Sequence, residues 1–124
     1  MSKYLFFLLT TFTLISCYNV ERNCNDFKTG TFEFNQKIEG VKHTSQFIRN
    51  DSLQIETFEG KTDTARVRWV NDCEYILQKV NPKNLEEKKA IQIKILSTNK
   101  KGYFFEYCFV GESKKQKGFV TKTK

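Results

Sequence analysis

From Phe27 onward, short β-favouring runs alternate with polar punctuation. Ala65, Val67 and Trp69 share one parity while Arg66 and Arg68 share the other, and Ile91, Ile93 and Ile95 alternate with Gln92 and Lys94. Phe32 and Phe34 repeat the pattern, as do Leu53 and Ile55. Side chains of a strand point alternately to its two faces, so this period of two predicts sheet with one face buried. Turn signals fall at Glu39-Gly40, Asn50-Asp51, Glu59-Gly60-Lys61, Asn71-Asp72, Asn81-Pro82, Asn99 to Gly102 and Gly111-Glu112-Ser113. They delimit eight strands near 29–37, 41–49, 53–59, 63–70, 73–80, 90–98, 103–110 and 116–122.

The run at 103–110 departs from simple alternation. Tyr103, Phe105, Tyr107 and Phe109 form one aromatic face, while Phe104, Cys108 and Val110 make much of the other apolar as well. It predicts a strand covered on both sides, or one whose second side meets a partner or ligand. The Glu- and Lys-rich stretch Asn84 to Lys89 supports no more than a turn of helix in a loop. With no βαβ alternation and no repeat, the expected fold class is all-β: about eight antiparallel strands in a meander, as a barrel or a strongly curved sheet. Closure is preferred because it removes exposed strand edges.

The N-terminus has a different pattern. Lys3 precedes an uncharged apolar run from Leu5 to Ile15, then Ser16 and Cys17. The run is shorter than the roughly 20 residues needed to cross a bilayer and reads as a secretory signal. Leu14-Ile15-Ser16-Cys17 resembles the lipobox of bacterial lipoproteins. That resemblance implies cleavage after residue 16, diacylglycerol on the Cys17 sulfur and acylation of the new amino group. Each buried methylene contributes about 0.8 kcal/mol, so two or three chains hold a domain firmly where one would not. The expected organisation is a signal peptide at 1–16, lipidated Cys17 with a short tether through 26, and a β domain at 27–124. Tyr18, rather than Asp, follows the lipidation site. The expected location is the cell envelope, with the outer membrane favoured.

The segment Cys24-Asn25-Asp26-Phe27-Lys28-Thr29-Gly30-Thr31-Phe32, together with Arg68-Trp69-Val70-Asn71-Asp72-Cys73-Glu74-Tyr75-Ile76-Leu77, resembles small lipocalin-like lipoproteins of Gram-negative bacteria. Gly-x-Phe stands here where true lipocalins carry Gly-x-Trp. The resemblance implies a barrel opened by the first segment, with the second as a central strand.

With Cys17 lipidated, Cys24, Cys73 and Cys108 remain. Exported domains meet an oxidising compartment, so one disulfide is expected. In a meander, odd-numbered strands begin at the same end. Cys24, before the first strand, and Cys73, at the start of the fifth, therefore approach one rim, and Cys108 belongs at the other. Cys24–Cys73 is the expected pair and would stabilise by roughly 3 to 4 kcal/mol. The alternative is three reduced thiols, with Cys108 a small core hydrophobe.

The chain carries a formal net charge of +7. Candidate contacts to an anionic lipid or glycan surface are Arg66, Arg68, Lys114, Lys115 and Lys117, although such charges more often form a solvated edge. The lone His43 and the lack of CxxC or HExxH spacing give no metal site. No nucleophile elbow, Ser-x-x-Lys signature in a strand-turn-helix context, or Gly-rich phosphate loop is present. The expectation is a non-enzymatic envelope lipoprotein without cofactor, binding a partner protein or an apolar ligand, and no nucleic acid. The alternative is a structural or inhibitory module acting through its basic surface.

Overall fold

The computed structural model describes residues 20–124, so the signal peptide at 1–16 and Cys17 lie outside the described residues. A 3₁₀ turn, Cys24–Phe27, leads into β1 (Gly30–Ile38), β2 (Val41–Arg49), β3 (Leu53–Phe58), β4 (Lys61–Asn71) and β5 (Glu74–Lys79). A single helical turn, α1 (Leu85–Lys88), precedes β6 (Ile91–Thr98), β7 (Gly102–Phe109) and β8 (Gln116–Lys122). Each strand pairs antiparallel with the next, and β8 returns to β1 through Phe32↔Lys122, Glu33↔Thr121 and Phe34↔Val120. The result is a closed eight-stranded meander barrel of lipocalin-like architecture.

The two ends are built by different turn chemistry. At one end, the β1–β2 and β3–β4 hairpins turn on Glu39-Gly40 and Glu59-Gly60, all four residues at positive φ. That backbone matches the two-residue turns whose twist suits a hairpin. At the other end, three connections use asparagine. Asn50 accepts from the Ser52 and Leu53 amides, Asn71 from Cys73, and Asn99 from Lys101 and Gly102. A short polar side chain thus replaces the missing ladder partner.

The asparagine end is plugged. Cys24 and Phe27 are buried, and Cys24 is bonded to Cys73 with a Cα separation of 5.3 Å. From Glu21 onward the segment that leads into β1 is held against the wall. Thr98 N donates to Glu21 O (2.8 Å), Arg22 Nε to Leu96 O (3.2 Å) and Asn23 N to Thr98 Oγ1 (2.8 Å). These groups find partners on the last residues of β6, Leu96 and Thr98, and so tie the segment to the wall.

The core fills the plugged half. Phe32 stacks on Phe47 with ring centroids 5.0 Å apart, and Tyr103 meets Phe27 and Phe32 edge-on. Phe34 packs edge-on against Phe105 at 5.7 Å, across the position of Gly118. A Cβ on Gly118 would lie 2.9 Å from the Phe34 ring and 3.0 Å from Phe105, so only glycine allows this close approach.

Two expectations are corrected. Leu53 and Ile55 do not point into the barrel: pairing Phe47↔Glu56, Ile48↔Ile55 and Arg49↔Gln54 turns Gln54 and Glu56 inward instead. Phe47 and Arg49 already face the interior, and a strand's parity follows its ladder partner. Nor is β7 covered on both faces. Its odd-numbered face is inside, whereas Phe104 and Val110 are about half exposed (49% and 52%). Phe104 packs against its cross-strand neighbour Phe119, with ring centroids 4.6 Å apart.

Candidate functional site

The barrel interior is a cup, and its floor is organised by Arg49, the last residue of β2. Its side chain is 1% exposed and has no carboxylate partner among the described residues. Nε donates to Lys28 O (2.9 Å) and Nη2 to Phe27 O. Nη1 donates to Gln54 Oε1 (3.2 Å), Tyr75 Oη (2.9 Å) and Tyr103 Oη (3.3 Å). The guanidinium carbon also lies 4.6 Å from the Tyr75 ring centroid and 4.7 Å from that of Phe32. A buried charge is tolerated when its hydrogen bonds are satisfied, and aromatic faces add attraction.

Burial opposes the Arg49 charge, but the Tyr75 and Tyr103 oxygens more than offset it and its pKa is raised. Burial likewise pushes Tyr103 well above the ordinary tyrosine value, with Tyr75 adding to the shift and Arg49 opposing it. The floor therefore combines a cation with the neutral Tyr103 hydroxyl.

Above the floor the packing opens. A cavity of about 220 Å³ is lined by Phe34, Phe47, Leu77, Ile91, Ile93, Phe105, Tyr107 and Val120, with Ser45, Gln36, Gln54 and Glu56 as polar members. A second recess of about 420 Å³ lies toward the hairpin end and shares Gln54, Glu56, Leu77 and Ile91 with the first. Sites for small ligands span roughly 300 to 1,000 Å³ and are mostly apolar with a few convergent polar groups. Together the two spaces meet that description, and the hairpin end is the mouth of the cup.

The mouth is bordered by a strap. Asn84 caps α1 by accepting from the Glu87 amide (2.8 Å), and Glu87 in turn accepts from Lys83 N and from Lys79 Nζ (3.0 Å). Lys79 also lies 3.9 Å from Asp63. The Lys83 amide, followed by Lys79, holds the Glu87 carboxyl below its usual range. Glu56 behaves oppositely: burial, then its register partner Asp63, raises its pKa against the pull of Lys79.

The expected site residues are dispersed. Arg66 and Arg68 stand on the outer face of β4, beside an external groove that also includes Leu53, Ile76, Gln78 and Val110. Lys114 and Lys115 lie in the β7–β8 turn and Lys117 near the start of β8, with Lys115 3.4 Å from Glu106. The intervening strands β5 to β7 separate these lysines from the two arginines around the wall. His43 sits near the mouth, its Nδ1 2.9 Å from Glu59. Cys108 is free and half-buried, paired with Gln92 on the outer parity of the wall rather than in the core.

Sequence reasoning missed Arg49, Gln54, Glu56 and Asp63. One signal was available in β3, where Leu53 and Ile55 have one parity and Phe58 the other, so apolar alternation alone does not choose its inner face. Among the described residues, no cluster of three or more His, Cys, Asp or Glu could hold a metal ion, and no helix is long and apolar enough to cross a membrane. No family model, curated protein or solved structure matches the chain.

Proposed function

We propose that this protein is a non-enzymatic lipoprotein of the bacterial envelope, anchored through Cys17, whose barrel binds a small apolar or amphiphilic molecule. The single observation that supports binding is the uneven filling of the barrel: aromatic side chains and the Arg49 network occupy the plugged half, and the apolar cavity occupies the other. A barrel made only for stability would fill both halves, because interiors pack to crystal-like density. The anchor is supported by the lipobox-like tetrapeptide Leu14-Ile15-Ser16-Cys17. The outer membrane is the favoured location.

The test uses the full chain held in phosphatidylcholine nanodiscs, with empty discs as reference. Calorimetric titration with 4-phenylbutanol, an uncharged probe of modest size, should give saturable binding. Leu77→Trp, which fills the space shared by cavity and recess, should abolish it while leaving a cooperative unfolding transition. Absence of saturable binding, or binding unchanged in the Trp variant, would defeat the cup reading. For the anchor, metabolic palmitate labelling should mark the wild type and not Cys17→Ser.

A further inference from the structure

We propose that the cup selects amine-headed amphiphiles, with the ammonium held at Glu56 and Asp63 on the inner wall and the apolar tail in the deep cavity. The proposal rests on the reading of the barrel as a binding cup and specifies the chemistry of its occupant.

Three observations support it. The first is local charge: the recess is lined by Glu56, Asp63, Glu86 and Glu87 against only Lys79 and Lys89, in a chain whose overall charge is +7. Both lysines are already engaged. Lys79 pairs with Glu87 at 3.0 Å and approaches Asp63 at 3.9 Å, while Lys89 lies 3.2 Å from Glu86 and 3.5 Å from Glu112. A concavity with excess charge of one sign attracts ligands of the other.

The second is the position of Glu56. It lines both the recess and the deep cavity, and among the described residues its carboxylate makes no hydrogen bond or close ion pair. Burial, then Asp63, act against its ionisation, and Lys79 only partly offsets them. An arriving ammonium would add to the partial counter-charge that Lys79 provides.

The third is the floor. Arg49 carries a positive charge without a carboxylate, and its donors are aimed at Phe27, Lys28, Gln54, Tyr75 and Tyr103. A cationic head is therefore repelled from the bottom and attracted to the wall above it. Tail-first entry satisfies both ends, with Leu77, Ile93 and Phe105 receiving the apolar part.

The experiment compares three probes with one apolar body: 4-phenylbutylamine, 4-phenylbutanol and 4-phenylbutanoate, each titrated into the full chain in nanodiscs with empty discs as reference. The amine should bind about tenfold tighter than the alcohol, as one incompletely screened charge contact allows, and the carboxylate weakest. Glu56→Gln, which keeps the side chain's shape, should bring the amine to within about twofold of the alcohol when both are titrated into the same variant. Asp63→Asn provides a second reading should the first variant fold poorly, with a smaller loss expected. An amine no tighter than the alcohol, or a preference surviving both substitutions, overturns the proposal while the cup stands. Tightest binding of the carboxylate overturns it in favour of an anionic head at the floor. Failure of all three probes to bind overturns both readings.

Discussion

Arg49 and Glu56 are the two inward charges whose settings differ most. Arg49 is enclosed by oxygen acceptors and aromatic faces, so its charge is compensated and it ties the 3₁₀ turn to β3, β5 and β7. Glu56 lacks comparable compensation, and burial followed by Asp63 raises its pKa, with Lys79 as the opposing cation. For a carboxyl whose folded pKa lies above its unfolded value, the native state binds the proton more tightly. Stability therefore falls as pH rises from the ordinary glutamate range through the folded value. Glu56→Gln should remove that slope. Urea unfolding across a pH series should show the variant gaining on the wild type over this window and remaining the more stable at neutral pH. Parallel curves would mean that Glu56 is better solvated than its place in the cup implies.

At the level of elements, the disulfide and the turn it holds determine whether the floor stays shut. Cys24 and Cys73 are 49 residues apart in sequence, and cross-linking a loop of that size should contribute roughly 3 to 4 kcal/mol by restricting the unfolded chain. Cys73→Ser should lower Tm by at least about 12 °C in thermal unfolding, and reductant should shift the wild type in the same direction. Hydrogen exchange should rise first around Cys24–Phe27, since that turn loses its covalent tie to the β4–β5 connection. Loss of the bond with no change in Tm would place the stability of this end in the Arg49 network alone. The rim position of Cys24 and Cys73 was legible because strand number and direction alone fix it. The inner faces of β4 and β6 were equally legible, since Val67 and Ile93 sit in unbroken alternations. The face of β3 was not: its parity is imposed across the ladder by Phe47 and Arg49 of β2, and the polar half of the cup follows from that register. A long-range register of this kind leaves no trace in the period of the strand itself.

For the whole molecule, the proposed anchor would turn the two ends of the barrel into two directions relative to a membrane. The described chain enters at the plugged end, and Cys17 precedes Cys24 by seven residues, a span of at most about 25 Å when extended. Because Glu21 to Asn23 are held to β6, the free length is shorter still. A nine-residue strand such as β1 runs about 30 Å and stands somewhat over 20 Å tall at the usual barrel tilt. The proposed anchor at Cys17 would therefore bring the floor toward the headgroups and turn the mouth, with its strap, outward. A fluorophore attached through Asp51→Cys, in the β2–β3 turn at the floor, should be quenched strongly by lipids with nitroxide headgroups. The same label at Leu85→Cys, on the strap and 79% exposed, should be quenched little. Both variants carry Cys108→Ser so that the label has one free target. In Cys17→Ser the two positions should become equal. The reverse order of quenching would put the mouth against the bilayer, where ligands would arrive from the lipid phase and an outward-facing cup would no longer describe this protein.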